Sequence, residues 1–174
     1  MQYFQNTVDL KQWAFEDDVV VTNTNGVYSF QSAAGIPLNV PTTLVPYSIP
    51  ASVLLAAAQM AQITSLSQAY ATACLAPVSY TSKGNITKTY QADQNSIDNL
   101  TWMLLTFSSA QTTPSGFYWI ALDNTQVPFT FADLQGLAAA LGTQGASAFA
   151  QFQLLKAQVK AATTVADVQA IVWS

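Results

Sequence analysis

Four prolines, at positions 37, 41, 46 and 50, divide this chain into two parts that cannot fold alike. Each disfavours helix at the residue before it, so residues 36–49 read as an extended connector. Before them the pattern is that of strands. In "DDVVVTNTNGVYSFQ" a β-branched run precedes Asn25-Gly26 and an alternating run follows it. Asn-Gly between such runs predicts a tight hairpin, because both residues tolerate the positive φ that the turn requires. Residues 2–48 are therefore read as β-rich.

After the prolines the pattern is helical. Pro50 suits a first helical turn, where its missing N–H is no loss. From Ala51 to Leu75 there is neither Gly nor Pro. Leu55, Ala58, Gln62, Leu66, Ala69 and Ala73 recur at spacings of three and four. Val53, Ala56, Met60, Ile63 and Tyr70 offer a second apolar line, which predicts packing on two sides. Pro77 ends this helix, and "VSYTSKGNITKTYQ" reads as a hairpin turning at Ser82-Lys83-Gly84-Asn85. Asp93 or Ser96 can cap the next helix, whose apolar face is Ile97, Leu100, Leu104 and Phe107. "GFYWIAL" is an aromatic strand, followed by a turn at "DNTQ". Thr130 with Asp133 resembles a capping box with Asp in place of Glu. Behind it Leu134, Leu137, Leu141, Gly145, Ala148, Phe152, Leu155 and Val159 mark one face of a helix about 45 Å long if unbroken. Gly142 and Gly145 weaken it, and mark either a kink or the close approach of another helix. Thr164 with Asp167 opens a terminal helix through Trp173, whose ring is expected to pack near Trp119. The fold class is thus α+β. A small β-rich segment with its connector (1–48) precedes a helix-rich module (51–174) holding a β-hairpin and an aromatic strand.

The chemistry open to such a chain is narrow. It has no His and no Arg, five Lys, and a net charge of −4. Nucleic-acid binding relies on clustered cations against phosphates, so no nucleic-acid partner is expected. The commonest general base and metal ligand is missing. The single Cys74 allows no intrachain disulfide and no Cys-based zinc site, and is read as a small buried side chain. There is no Gly-x-Ser-x-Gly elbow, and Gly84 lacks the partner glycine of a phosphate loop. The acidic run Glu16-Asp17-Asp18 is read as a solvated turn, because neighbours on a strand point to opposite faces and converge badly on one bond. No catalytic, cofactor-binding or metal-binding residue is assigned, and the protein is expected not to be an enzyme. The start of the chain lacks a basic stretch followed by an apolar run, so no signal peptide is read there. The most apolar stretch, 53–58, is far short of the ~18 residues of a membrane span, so no membrane insertion is expected.

Only 8% of the residues are charged, about a third of the usual share. The polar surface must then be built of Gln, Asn, Ser and Thr. Copies with such surfaces repel one another little, and permanent interfaces avoid charges that would have to be desolvated. A homo-oligomer is one expectation. Leu141, Gly142, Gly145, Phe149 and Phe152 on the long helix are the candidate interface. Phe117, Tyr118, Trp119, Tyr80 and Tyr90 are read as core aromatics, with a sugar-stacking platform as the alternative.

Three segments, "PVSYTSKGNITKTYQADQNSIDNL", "GFYWIALDNTQVPFTFADLQGLAAAL" and "LLKAQVKAATTVADVQAIVW", carry a resemblance in order and wording. From Pro77 to Trp173 the chain resembles a C-terminal domain of unknown function found in bacteriophage tail and tail-fibre-assembly proteins. The resemblance implies a non-enzymatic tail-fibre assembly chaperone or a fibre-bound tail component. Its partner would be a tail-fibre or baseplate protein, and its place the virion tail or the host cytoplasm during assembly. The alternatives are a structural adaptor joining fibre to baseplate and a glycan-binding tail-tip protein.

Overall fold

A computed structural model describes residues 1–174. With 43% helix and 21% strand, the fold is α+β. The chain forms two compact units, Met1–Ala56 and Ala57–Ser174, and the division falls inside the first helix.

The first unit is built on five short strands. β1 (Gln2–Asn6) lies between β2 (Gln12–Phe15) and β5 (Leu44–Pro46), antiparallel to both. β3 (Val20–Thr24) and β4 (Val27–Gln31) form the hairpin that Asn25-Gly26 announced. Both turn residues have positive φ, 54° and 86°, as the tight turn demands. The proline-spaced segment departs from the expected connector. It is extended, but Leu44 is 1% exposed and Leu44–Pro46 is the third strand of the sheet. An apolar anchor every few residues (Leu38, Val40, Leu44) draws the segment onto the core, and Pro46 sits at the ladder's edge, where no N–H is required. Phe4, Phe15, Phe30 and Leu44 are that core, with Phe4 edge-on to Phe30 at 4.8 Å and Phe15 stacked on Phe30 at 4.5 Å.

The second unit contains the rest of α1 (Ala51–Cys74), then β6 (Val78–Thr81), β7 (Thr87–Tyr90), α2 (Gln94–Phe107), β8 (Tyr118–Ile120), β9 (Gln126–Pro128), α3 (Phe131–Ala161) and α4 (Val165–Ala170). Two hairpins, β6–β7 and β8–β9, are joined where the Leu122 N–H donates to the Thr89 carbonyl at 2.8 Å. They pack with α2 and the first turns of α3 around Tyr90, Leu100, Val127, Phe129, Leu134 and Leu137. Asp93 caps α2, its carboxylate accepting from the Ser96 N–H. The face Ile97, Leu100, Leu104, Phe107 is the covered one.

α1 and α3 run antiparallel. Gln59, early in α1, donates to the Val159 and Ala162 carbonyls, and Gln144 of α3 donates to the Ala73 and Ala76 carbonyls at α1's far end. The stripe Leu55, Ala58, Gln62, Leu66, Ala69, Ala73 is the side of α1 that is covered. The expected packing on two sides is not found. Of the second line, Ile63 and Tyr70 are half-buried, whereas Val53, Ala56 and Met60 are exposed. α3 runs unbroken through Gly142 and Gly145, so neither marks a break in it. No helix is long and apolar enough to cross a membrane.

Two expectations for the carboxyl end are also corrected. α4 stops at Ala170, three residues before Trp173. The tail is held by Gln62, which donates to the Ile171 carbonyl at 2.6 Å, and by Gln151, which donates to Ser174 at 2.8 Å. Gln151 lies about 25 Å along α3 from Leu134, which packs in the core beside Trp119, so the tail is tied to the helix pair and not to the aromatic strand. The Ile171 carbonyl is left over at the end of α4 and the Ser174 carbonyl at the end of the chain, and amide donors on α1 and α3 are within their reach.

Candidate functional site

The most constrained point of the molecule is the start of α3. Thr130 and Asp133 form the capping box read from the sequence. Asp133 goes further than a box. Its carboxylate accepts from the Thr130 N–H (2.8 Å), the Thr130 hydroxyl (2.6 Å), the Lys83 N–H (2.6 Å) and the Tyr80 hydroxyl (3.2 Å). One side chain thus ties α3 to the turn and first strand of the β6–β7 hairpin. Burial alone would raise its pKa. The bonds from Thr130, Lys83 and Tyr80 outweigh burial and hold the carboxyl below its ordinary value. Tyr80 is raised, by burial first and then by the facing carboxylate.

Gly136 makes this arrangement possible. A Cβ there would lie 2.7 Å from two ring carbons of Tyr80. Nothing in the residue pattern signals this, because Gly136 sits inside an otherwise ordinary helical run. A hollow of about 480 Å³ opens beside the hub, between Lys83-Gly84, Thr113-Pro114 and Thr130. Lys83 lines it, and every oxygen contact of Asp133 already serves the fold.

The candidate interface lies farther along α3. Leu141 and Phe152 are half-buried, Gly142 is exposed, Gly145 is half-buried and Phe149 is 51% exposed. Tyr70 of α1 stacks on Phe152 at 5.3 Å and meets Phe149 edge-on at 6.2 Å. A Cβ on Gly142 or Gly145 would meet nothing within 4 Å. The close approach considered for these two glycines is therefore not made by any part of this chain. α1 contributes no charged side chain to the pair, and α3 contributes none between Asp133 and Lys156. Nothing in the residue pattern singles out Gln59 and Gln144, which join the two helices; Gln62, a polar residue on an apolar stripe, is the one such signal, and it holds the segment after α4.

Glu16, Asp17 and Asp18 are exposed in a turn, with Asp17 paired to the chain's amino terminus. No three Asp, Glu, Cys or His side chains are grouped to hold a metal ion. Tyr90, Tyr80, Phe117 and Trp119 belong to the core, as read, but Tyr118 is half-exposed. Cys74 is half-buried, not buried, at the last residue of α1. Lys88 bonds Asp123 at 2.6 Å and Thr125 at 3.2 Å; the bonds Asp123 accepts, from Lys88 first and then from the Thr125 side chain and backbone, hold its carboxyl at about 2.

A family model described as "Domain of unknown function (DUF4376)" matches residues 54–172. The chain belongs to this family. No curated protein and no solved structure matches it. The DUF4376 match begins within α1, upstream of Pro77, and runs through the tail. It takes in the Asp133 hub, the α1–α3 pair and both hairpins of the second unit, while β1–β5 lie outside it.

Proposed function

We propose that this DUF4376 protein is a non-enzymatic, phage tail-associated protein that works by binding another protein, as a tail-fibre assembly chaperone or a fibre-bound tail component. The observation that carries the reading is the helix pair, which bears no charge on α1 and none on α3 between Asp133 and Lys156. α1 spans 24 residues without one charged side chain and leaves Met60 exposed; Phe149 stands exposed on α3 beside the open backbone of Gly142 and Gly145. Exposed apolar groups flanked by amides suit a partner that is held without ion pairs. The resemblance of residues 77–173 to phage tail proteins supplies the biological setting, in the virion tail or in the host cytoplasm during assembly. A structural adaptor between fibre and baseplate would use the same surface.

The test is co-expression with phage tail-fibre and baseplate proteins, followed by affinity capture of the complex. Between 0.1 and 1 M salt the Debye length falls from about 10 Å to 3 Å, which abolishes charge-driven binding but leaves apolar burial intact. The complex should survive 1 M NaCl with less than about a tenfold loss of affinity. Gly145→Leu should weaken it more than it lowers the melting temperature, since the site is open in the free chain. Failure to capture either protein defeats the proposal, and steep salt dependence defeats its mechanism. Capture on washed virions favours the adaptor; capture only during assembly favours the chaperone.

A further inference from the structure

A second surface of the protein has a different chemistry. Between α2 and β8 lies an open hollow of about 360 Å³, at the small end of the ~300–1,000 Å³ of ligand sites. One wall is aromatic and apolar. It comprises half-buried Trp119, which stacks on Phe129 at 6.4 Å and is thereby held in place, and half-exposed Tyr118. The opposite wall is a helix face, with Ser96, Asn99 and Met103 at 0, +3 and +7. Gln91, exposed just past β7, completes it.

No charged side chain lines this hollow. The ionisable groups at that end of α2 are carboxylates, Asp93 at its cap and Asp98 in its second turn. An anionic ligand would find no cation and would meet two negative neighbours. The groups on offer are amides, each able to donate and accept, and the aromatic side chains of Tyr118 and Trp119. Vicinal hydroxyls on a ring with one apolar C–H face match that set. The ring's hydroxyls suit Gln91 and Asn99, and its C–H face suits the aromatic side chains.

We infer that the hollow between α2 and β8 is a binding site for a neutral saccharide, with Asn99 and Gln91 bonding its hydroxyls and Tyr118 and Trp119 contacting its ring. The site is separate from the α1–α3 surface, so protein binding and sugar binding are read independently.

Saturation-transfer NMR on the full chain, with glucose, galactose, N-acetylglucosamine and their short oligomers at about 10 mM, tests it. At least one should receive transfer at its ring C–H protons, with a Kd of about 1 mM, a weak site by the usual scale. Glucuronate and glucose 6-phosphate should bind at least about tenfold more weakly than glucose. Tyr118→Ala and Asn99→Ala, both exposed positions, should each lower affinity about tenfold with the melting temperature unchanged. Phe149→Ala should leave it as it is. Trp119→Ala is avoided because that ring is part of the core. No transfer to any neutral sugar overturns the proposal. So does equal transfer in the Tyr118 and Asn99 variants, or tighter binding of the acidic sugars.

Discussion

At its amino-terminal end α3 is anchored by one buried carboxylate, which collects four hydrogen bonds from Thr130, Lys83 and Tyr80. At its carboxyl-terminal end, about 45 Å away, the same helix is held by the neutral amide of Gln59. Gln144, Gln62 and Gln151 do likewise for α1, the segment after α4 and the tail. Both solutions answer the same problem, the unpaired backbone groups at helix ends. A carboxylate binds several donors at once and holds them strongly, but it is tolerable in a core only when all its bonds are made. An amide gives each carbonyl one ordinary bond, and losing it returns a mostly solvated carbonyl to water. The head should therefore be rigid, brittle and acid-sensitive. The helix pair should be forgiving and indifferent to pH and salt.

The largest test of this contrast is Asp133→Ala. It strands donors of Thr130, Lys83 and Tyr80 in a part-buried setting, at about 1–3 kcal/mol for each that stays dry, so a loss of ~3 kcal/mol is expected in urea unfolding. Asp133→Asn should lose less at pH 7 and change the acid limb. The folded carboxyl has a depressed pKa, so its stabilisation is full above the unfolded value of about 3.9 and is lost as pH falls through the folded value. Wild-type stability should thus fall below about pH 4, and the Asn variant should fall less steeply. Parallel acid limbs would mean that Asp133 is not the sensitive group. Asp93 and Asp123, both exposed and both depressed, act in the same direction with solvent screening.

Next in size are the glycines of α3. Gly136→Ala forces a methyl into the Tyr80 ring and should cost ~2 kcal/mol, in spite of the better helix propensity of Ala. Gly142→Ala and Gly145→Ala meet open space and should stabilise by up to ~1 kcal/mol each. Thermal melts of the three variants should differ in sign; the same sign for all would erase the distinction between head and helix pair.

Gln144→Ala should cost only about 1 kcal/mol, with no dependence on pH between 4 and 8 or on salt. A loss as large as that of Asp133→Ala would make the amides equal partners in stability. The smallest effect is expected at Tyr90, whose hydroxyl is fully buried and has no hydrogen-bond partner within the protein. Tyr90→Phe removes an unmet donor and should raise stability by up to ~1 kcal/mol. A clear loss instead would show that this hydroxyl is bonded in solution, through an ordered water.

Much of the fold could be read directly. The Asn25-Gly26 hairpin, the covered stripe of α3 from Leu134 to Val159, and the caps at Asp93, Thr130 and Thr164 are local. Each follows from residue types within a few positions, where backbone sterics and short hydrogen bonds decide. Candidate surfaces were less legible. Leu141, Gly142, Gly145, Phe149 and Phe152 were placed on one helix from spacing alone, but spacing could not tell that both glycines face open space while Gly136 is the one pressed against a ring. The exposed side of α1 shows the same limit, because a helix apolar all round does not say how many neighbours it has.

By itself the sequence determined element types, most of their ends, and the low charge that forces amides into polar roles. Only the tertiary structure decided where the long-range partners fall. It turned Leu44 of a proline-spaced connector into a buried strand residue, and set Lys83 and Tyr80, some fifty positions away, on Asp133. It also sent the carboxyl-terminal tail to Gln62 and Gln151 instead of Trp119. The physical reason is one of range. Turns, caps and periodicity depend on neighbours in the chain. A buried carboxylate, a glycine's clearance and an amide's choice of carbonyl depend on segments that meet only once the chain has folded.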